Sequence, residues 1–226
     1  MEAYILSAEI CLDKVRRLDT NEIKQFINFI EGIIPKKLDL LYSNSMFNLH
    51  KEFQCALASL RSGLELIFIL EESLLRKGKP FTLRYVLTHG EIEVPRRKHM
   101  FYGMVGNGIG RAVSKMERLR QRRGDRFYVD FRDREESAFM TSLLCLYQRL
   151  YDSWHARDYA LAASLIDFWD YNMIAKDMGK TPSLIWKRRK SLGIQQYYMF
   201  KDLILKAPDL IIRKTPSKTN EQPPAF

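Results

Sequence analysis

The sequence predicts an α+β protein: a ferredoxin-like antiparallel sheet with helices packed on it, followed by an all-α helix-turn-helix domain. Three observations carry this reading. Short apolar, β-branched runs alternate with helical repeats up to about residue 134. From Glu135 onward only helical periodicity remains. The last stretch, RKTPSKTNEQPPAF, is polar and proline-rich without any period. The expected division is therefore 1–134 for the α+β domain, 135–206 for a helical DNA-binding domain and 207–226 for a disordered tail.

Residues 4–12, YILSAEICL, form an apolar run suited to a buried strand. In DTNEIKQFINFIEG, Asp19 and Glu22 make a capping-box pattern, Ile23, Phe26, Ile27 and Ile30 recur at helical spacing, and Gly32 is a good terminator. Residues 38–49 read as an extended segment and 53–58 as another, joined by a hairpin over Asn48 to Glu52. LRSGLELIFILEESLLRKG predicts a second helix that ends at Gly78, just before Pro80. Residues 81–94 alternate as a long strand with Phe81, Leu83, Tyr85 and Leu87 on one face. A basic loop, PRRKHM, and a glycine-rich stretch then open a third helix near 107–122, and RFYVDF (126–131) closes the sheet.

Composition favours a polyanionic partner. The net charge is +10 and the isoelectric point near 9.5, and a positive surface raises the local concentration of phosphates. Cys11, Cys55 and Cys145 lie far apart among apolar neighbours, as reduced cytoplasmic thiols do. His50, His89, His99 and His155 are equally scattered, so no zinc-type spacing exists and no structural metal is expected. MEAYILSAEICL lacks a basic n-region, and its apolar run is broken by Glu9, so neither a signal peptide nor a membrane span is expected.

The segment NMIAKDMGKTPSLIWKRRK carries the requirements of a helix-turn-helix. Small Ala175 sits where two helices must approach, Gly179 permits the left-handed turn, and Ile174, Met178 and Ile185 supply the contacts that fix the crossing. Thr181 caps the next helix, and Pro182 preorganises its first turn. That helix, about 182–191, presents Ser183, Trp186, Lys187, Arg188, Arg189 and Lys190 to a major groove, while Lys176, Lys180 and Thr181 flank the contact. For Trp186 a second placement is open, against Phe168 and Trp169 of the preceding helix.

Four features taken together resemble the SatD family, in which a nucleotidyl-cyclase-like (GGDEF-like) domain precedes a carboxy-terminal helix-turn-helix. Ala8-Glu9-Ile10 stands at the family's Gly-Asp-Ile position, and His50-Lys51-Glu52-Phe53-Gln54 at its G-D-E-F-Q hairpin turn. Gly90-Glu91-Ile92 matches the third motif, followed by YGMVGNGIGRAVSKME and the terminal module. The resemblance implies a ferredoxin-like, nucleotidyl-cyclase-type domain. In active relatives, carboxylates from the first strand and the hairpin hold two magnesium ions on a nucleoside triphosphate.

Here Glu9 is the longer acid and Lys51 replaces the hairpin aspartate, so the resemblance implies a catalytically degenerate domain without cofactors. Were it active, Glu9, Glu52 and Glu91 would be the carboxylates, with magnesium and a purine triphosphate. A lysine at this position still suits binding of a small nucleotide. The glycines of GMVGNGIG do not make a dinucleotide fingerprint, because the third position is Arg111. Arg118, Arg120, Arg122, Arg123 and Arg126 form a basic face that either extends the DNA contact or is solvated. The expected assembly is a homodimer on DNA, with helix 64–75 or the stretch 138–150 as candidate surfaces.

Overall fold

β1 (Glu2–Ile10) is apolar on both faces and is buried along nearly its whole length, as suits a central strand. It pairs antiparallel with β3 (Phe53–Leu57) on one side and with β4 (Leu83–Glu91) on the other. The short β2 (Met46–Phe47) edges β3, and β5 (Phe127–Asp130) joins β4 in parallel. The order is β2-β3-β1-β4-β5 in this computed structural model, which describes residues 1–11, 19–41, 46–47, 52–93, 106–122 and 124–212. The sheet expected to be antiparallel is therefore mixed. α3 (Asn107–Gln121) carries the chain back along the sheet, so the strand after it must run parallel to β4.

α1 (Thr20–Ile33) begins with the expected capping box: the Glu22 amide donates to Asp19 Oδ1 at 2.7 Å, and the Asp19 amide to Glu22 Oε2 at 3.2 Å. Of the strand expected over 38–49, residues 38–40 are helical turn instead, Met46–Phe47 is strand, and 42–45 and 48–49 lie outside the described residues. Residues Ile34–Leu40 form two short 3-10 turns separated by a kink at Lys37 (φ −132°, ψ 30°); Pro35, whose fixed φ suits a helical path, lies in the first, and Leu41 adds one bridge to Leu57. Residues 48–51 of the expected hairpin lie outside the described residues.

α2 (Leu60–Arg76) crosses the sheet, with Leu64, Leu66, Leu70 and Leu74 in the core. Its apolar length is consumed internally, which removes 64–75 as a candidate dimer surface. α3 approaches β4 so closely that a Cβ on Gly90 would stand 2.7 Å from Gly108 Cα, and one on Gly108 would meet Ile5 Cδ1 at 2.6 Å. Only glycine fits both positions.

α4 (Arg134–Asp152) lies on β5, with Thr141 Oγ1 accepting from the Val129 amide and Gln148 Oε1 from the Arg126 amide. α5 (Tyr159–Asp167), α6 (Tyr171–Asp177), α7 (Pro182–Ser191) and α8 (Ile194–Ile212) complete the chain. α8 runs past the boundary expected at 206, because Ala207 is buried and the apolar Leu210-Ile211-Ile212 precedes the polar stretch. Residues 213–226 lie outside the described residues.

Nor does the core stop at residue 134. One apolar cluster runs from Leu6 of β1 to Ala207 of α8, and Tyr147 of α4 meets the Phe68 ring of α2 edge-on at 5.0 Å. Buried charge crosses the same boundary. Arg126 donates to Glu71 Oε2 at 2.9 Å, to Asp152 Oδ2 at 2.9 Å and to the Leu83 carbonyl at 2.7 Å. Tyr85 and Tyr151 hydroxyls bond Glu71 as well, the latter at its carbonyl. Next to it, Glu72 accepts from the Tyr197 hydroxyl of α8 at 2.6 Å and pairs with Lys201. Buried carboxylates are tolerated here because each is charge-paired and hydrogen-bonded.

Candidate functional site

Asp170 caps α6 through the Asn172 and Met173 amides, at 2.8 and 3.2 Å. The chain then turns through Gly179, at φ +62°, where a side chain would be strained. The Lys180 amide donates back to the Ala175 carbonyl at 2.8 Å, satisfying an α6 terminus. Thr181 Oγ1 accepts from the Leu184 amide at 3.3 Å and starts α7 with Pro182 in its first turn. Ile174, Ala175 and Ile185 are buried between the two helices, as their spacing predicts, and Met178 is half-buried.

α7 presents a mixed surface. Thr181, Ser183, Leu184, Trp186, Lys187 and Lys190 are exposed, and Lys176 and Lys180 are exposed beside them. The α7 segment 182–191 contains no acidic residue. Trp186 makes no ring contact with Phe168 or Trp169; it is about half-exposed, with Lys190 Nζ 4.0 Å from its ring centre. Trp169 instead stacks on Tyr198 of α8, with the Arg189 guanidinium 4.9 Å from its ring centre. Arg189 is thereby half-withdrawn from solvent.

Arg188 departs furthest from expectation. Its guanidinium turns away from the exposed face and pairs with Asp158, a buried carboxylate just before α5, while also reaching Ser191 Oγ at 3.2 Å. Without Arg188, Asp158 would be a buried anion whose one other ion-pair partner among the described residues is exposed Arg157, at 3.8 Å. Arg188 is a bracket between α5 and α7. Its pairing was not readable from the recognition-helix pattern, since Asp158 lies in a different segment.

The second concentration of charge lies at one end of the sheet. Register places Glu9 of β1 opposite Arg84 of β4, and Ala8 opposite Phe53, so Glu52 comes alongside Glu9. Both carboxylates are buried. Arg84 Nη1 donates to Glu9 Oε1 at 2.8 Å. Arg120, from α3, donates to Glu9 Oε2 through Nη2 at 2.6 Å and Nε at 2.9 Å, and its Nη2 also reaches Glu52 Oε1. Gln54 Nε2 adds a bond to Glu52 Oε2 at 3.2 Å. Burial works against the Arg120 charge, but Glu9 and Glu52 outweigh it and raise the guanidinium pKa above its ordinary value.

Two carboxylates thus face two guanidiniums, and the Arg120 fork fills the space between the acids. A magnesium pair does not fit this set, because among the described residues two guanidiniums balance the two carboxylates and the oxygens already accept from arginine. Glu91, expected to join them, sits exposed opposite Glu2 at the other end of β1. Seven residues of strand separate it from the Glu9 level, about 23 Å at roughly 3.3 Å per residue. Lys51 lies outside the described residues. Among the described residues, no three His, Cys, Asp or Glu side chains converge as metal ligands, and no helix is long and apolar enough to cross a membrane.

The basic face expected after residue 117 is also partly internal. Arg120 closes the carboxylate pair and Arg126 is buried against Glu71, while Arg122 lies over the Tyr128 ring at 5.2 Å. Arg118 is exposed, and Arg123 lies outside the described residues. Arg120 and Arg126, the residues that organise the two buried networks, read in sequence only as members of a charge run. No family model matches the chain, and no curated protein matches it.

Proposed function

We propose that the chain is a cytoplasmic DNA-binding transcriptional regulator, with α6 and α7 as its helix-turn-helix and the sheet as a catalytically degenerate cyclase-like domain. One observation carries the reading: α7 is locked from below by Ile185 and Arg188, yet offers Ser183, Trp186, Lys187 and Lys190 to solvent with no acid among them. This is the composition that major-groove edges and phosphates select. Thr181, Lys176 and Lys180 flank the contact. Arg189 contributes charge from the side of the Trp169 stack, and Arg188 acts by holding the helix.

The strand order β2-β3-β1-β4 supports a ferredoxin-like, cyclase-type ancestry, with β5 added. The Arg120 fork between Glu9 and Glu52 supports loss of the metal-dependent reaction. What remains for this domain is dimerisation, sensing of a small nucleotide, or both. Selection of bound fragments from genomic DNA at near-physiological salt tests the reading. A recovered motif with two half-sites about one helical turn apart is the expected result. Uniform, salt-sensitive binding to every fragment would refute sequence recognition.

A further inference from the structure

α4 has two flanks. Thr141 and Gln148, seven residues apart, reach β5, so Phe139 and Leu146, also seven apart, lie on the opposite flank. α8 packs against α4 where the Tyr147 and Tyr197 rings lie 5.8 Å apart, and the two helices run antiparallel. Its start meets the end of α4, where Trp154 Nε1 donates to the Leu192 carbonyl at 2.8 Å.

α8 in turn is tied to α2 and α5 by Tyr197 and Lys201 on Glu72, Asp209 near Arg61, and the Tyr198 hydroxyl on the Ile166 carbonyl. Met199, Leu203 and Leu210 share the remaining face, which adjoins α4. Among the described residues, these five are the exposed large apolar side chains of α4 and α8, with exposures of 47% for Phe139, 48% for Leu146, 64% for Met199, 42% for Leu203 and 54% for Leu210. Half-exposed side chains of this size present roughly 90 Å² each, so together they show roughly 450 Å², within the range of about 300 to 600 Å² for the largest apolar patch of a monomer.

We infer that this α4–α8 stripe is a two-fold interface with a second copy of the chain. It rests on the reading of α7 for its purpose, since one short recognition helix contacts a single half-site. Its geometry is independent of that reading. A standard interface buries about 800 Å² per partner, of which about 60% is apolar, or roughly 480 Å². The stripe supplies nearly that amount, and the exposed Asp202–Lys206 pair, at 2.8 Å, provides a polar rim beside it. α8 follows α7 after the short Leu192-Gly193 turn, so pairing through α8 sets the distance between two α7 helices. A self-matching patch of this kind closes at two copies.

Sedimentation velocity of the full chain across the micromolar range, without DNA, tests the inference. The wild type is expected at the mass of two chains. Leu203→Glu, Leu146→Glu and Met199→Lys each place a charge in the interface and are expected to weaken pairing at least ~100-fold. Their circular dichroism spectra should match wild type, and if Leu203→Glu loses helix, the more exposed Met199→Lys decides. A wild type of one-chain mass, or variants that remain paired, would overturn the interface. So would a chain that pairs only after removal of 213–226, because the tail would then be the occupant. DNA plays no part in these readouts, so failure of α7 to bind DNA and failure of the pair are separate results.

Discussion

Arg126→Met is the substitution whose cost the structure specifies best. The guanidinium is almost fully buried and neutralises Glu71, itself buried, while sharing Asp152 with Lys79. Methionine fills similar volume, so the chief loss is electrostatic. Removing one partner of a buried pair costs about 3 to 5 kcal/mol. At about 2 to 4 °C per kcal/mol for a chain of this size, the melting temperature should fall by about 6 to 20 °C. Urea unfolding followed by circular dichroism gives the free energy directly.

The reasoning contains a second check. Glu71→Gln in the Arg126→Met background removes the stranded charge and leaves an acceptor for Tyr85, so it should recover a large part of the loss. A single variant that loses less than ~1 kcal/mol, or a double variant no better than the single, would show that a stranded Glu71 charge is not the cause.

Trp186→Ala, or Lys187→Ala with Lys190→Ala, should weaken specific DNA binding by about 1 to 3 kcal/mol where a base is contacted, with a smaller salt-dependent loss for phosphates, read by fluorescence anisotropy. Arg188→Ala should instead lower the melting temperature, by stranding Asp158, and an unaltered melt would contradict the bracket. Magnesium should leave the wild-type melting temperature unchanged but raise that of Arg120→Ala, in which Glu9 and Glu52 lose their shared counter-ion; no difference between the two would contradict the charge closure. Burial raises the Asp152 pKa, but Arg126 and Lys79 outweigh it and hold it below the ordinary 3.8. Its stabilisation is present above that value and is lost as pH falls through the lower folded one, so Asp152→Asn should flatten the acid limb of a stability profile between those points.

Local chemistry was the legible part. Asp19 and Glu22 are three residues apart, as are Thr181 and Leu184, and Gly179 follows Ala175 by four, so α1 and the α6–α7 turn could be placed from short windows. Distant pairing was not. Glu71, Arg126 and Asp152 belong to three elements, and nothing in the composition of any one of them announces the other two. The same distance hid Arg188 from Asp158 and made Arg120 look like part of a solvated helix face. The start of the run 38–49 failed for another reason: its apolar residues suit a strand, but residues 38–40 close a second 3-10 turn after the kink at Lys37. Extending the tail back to 207 overlooked that Ala207 and Leu210 continue the α8 period.

α3 can finally be viewed as a rod fixed at two points. One end is pressed to β4 where Gly90 meets Gly108, and twelve residues on, about 18 Å along a helix of 1.5 Å rise, Arg120 grips Glu9 and Glu52. A rod held at both ends transmits a push along its length. A methyl group at Gly108 would therefore be felt at the opposite end of the sheet, as a loosened Arg120 grip on the two acids, with no residue beside them substituted.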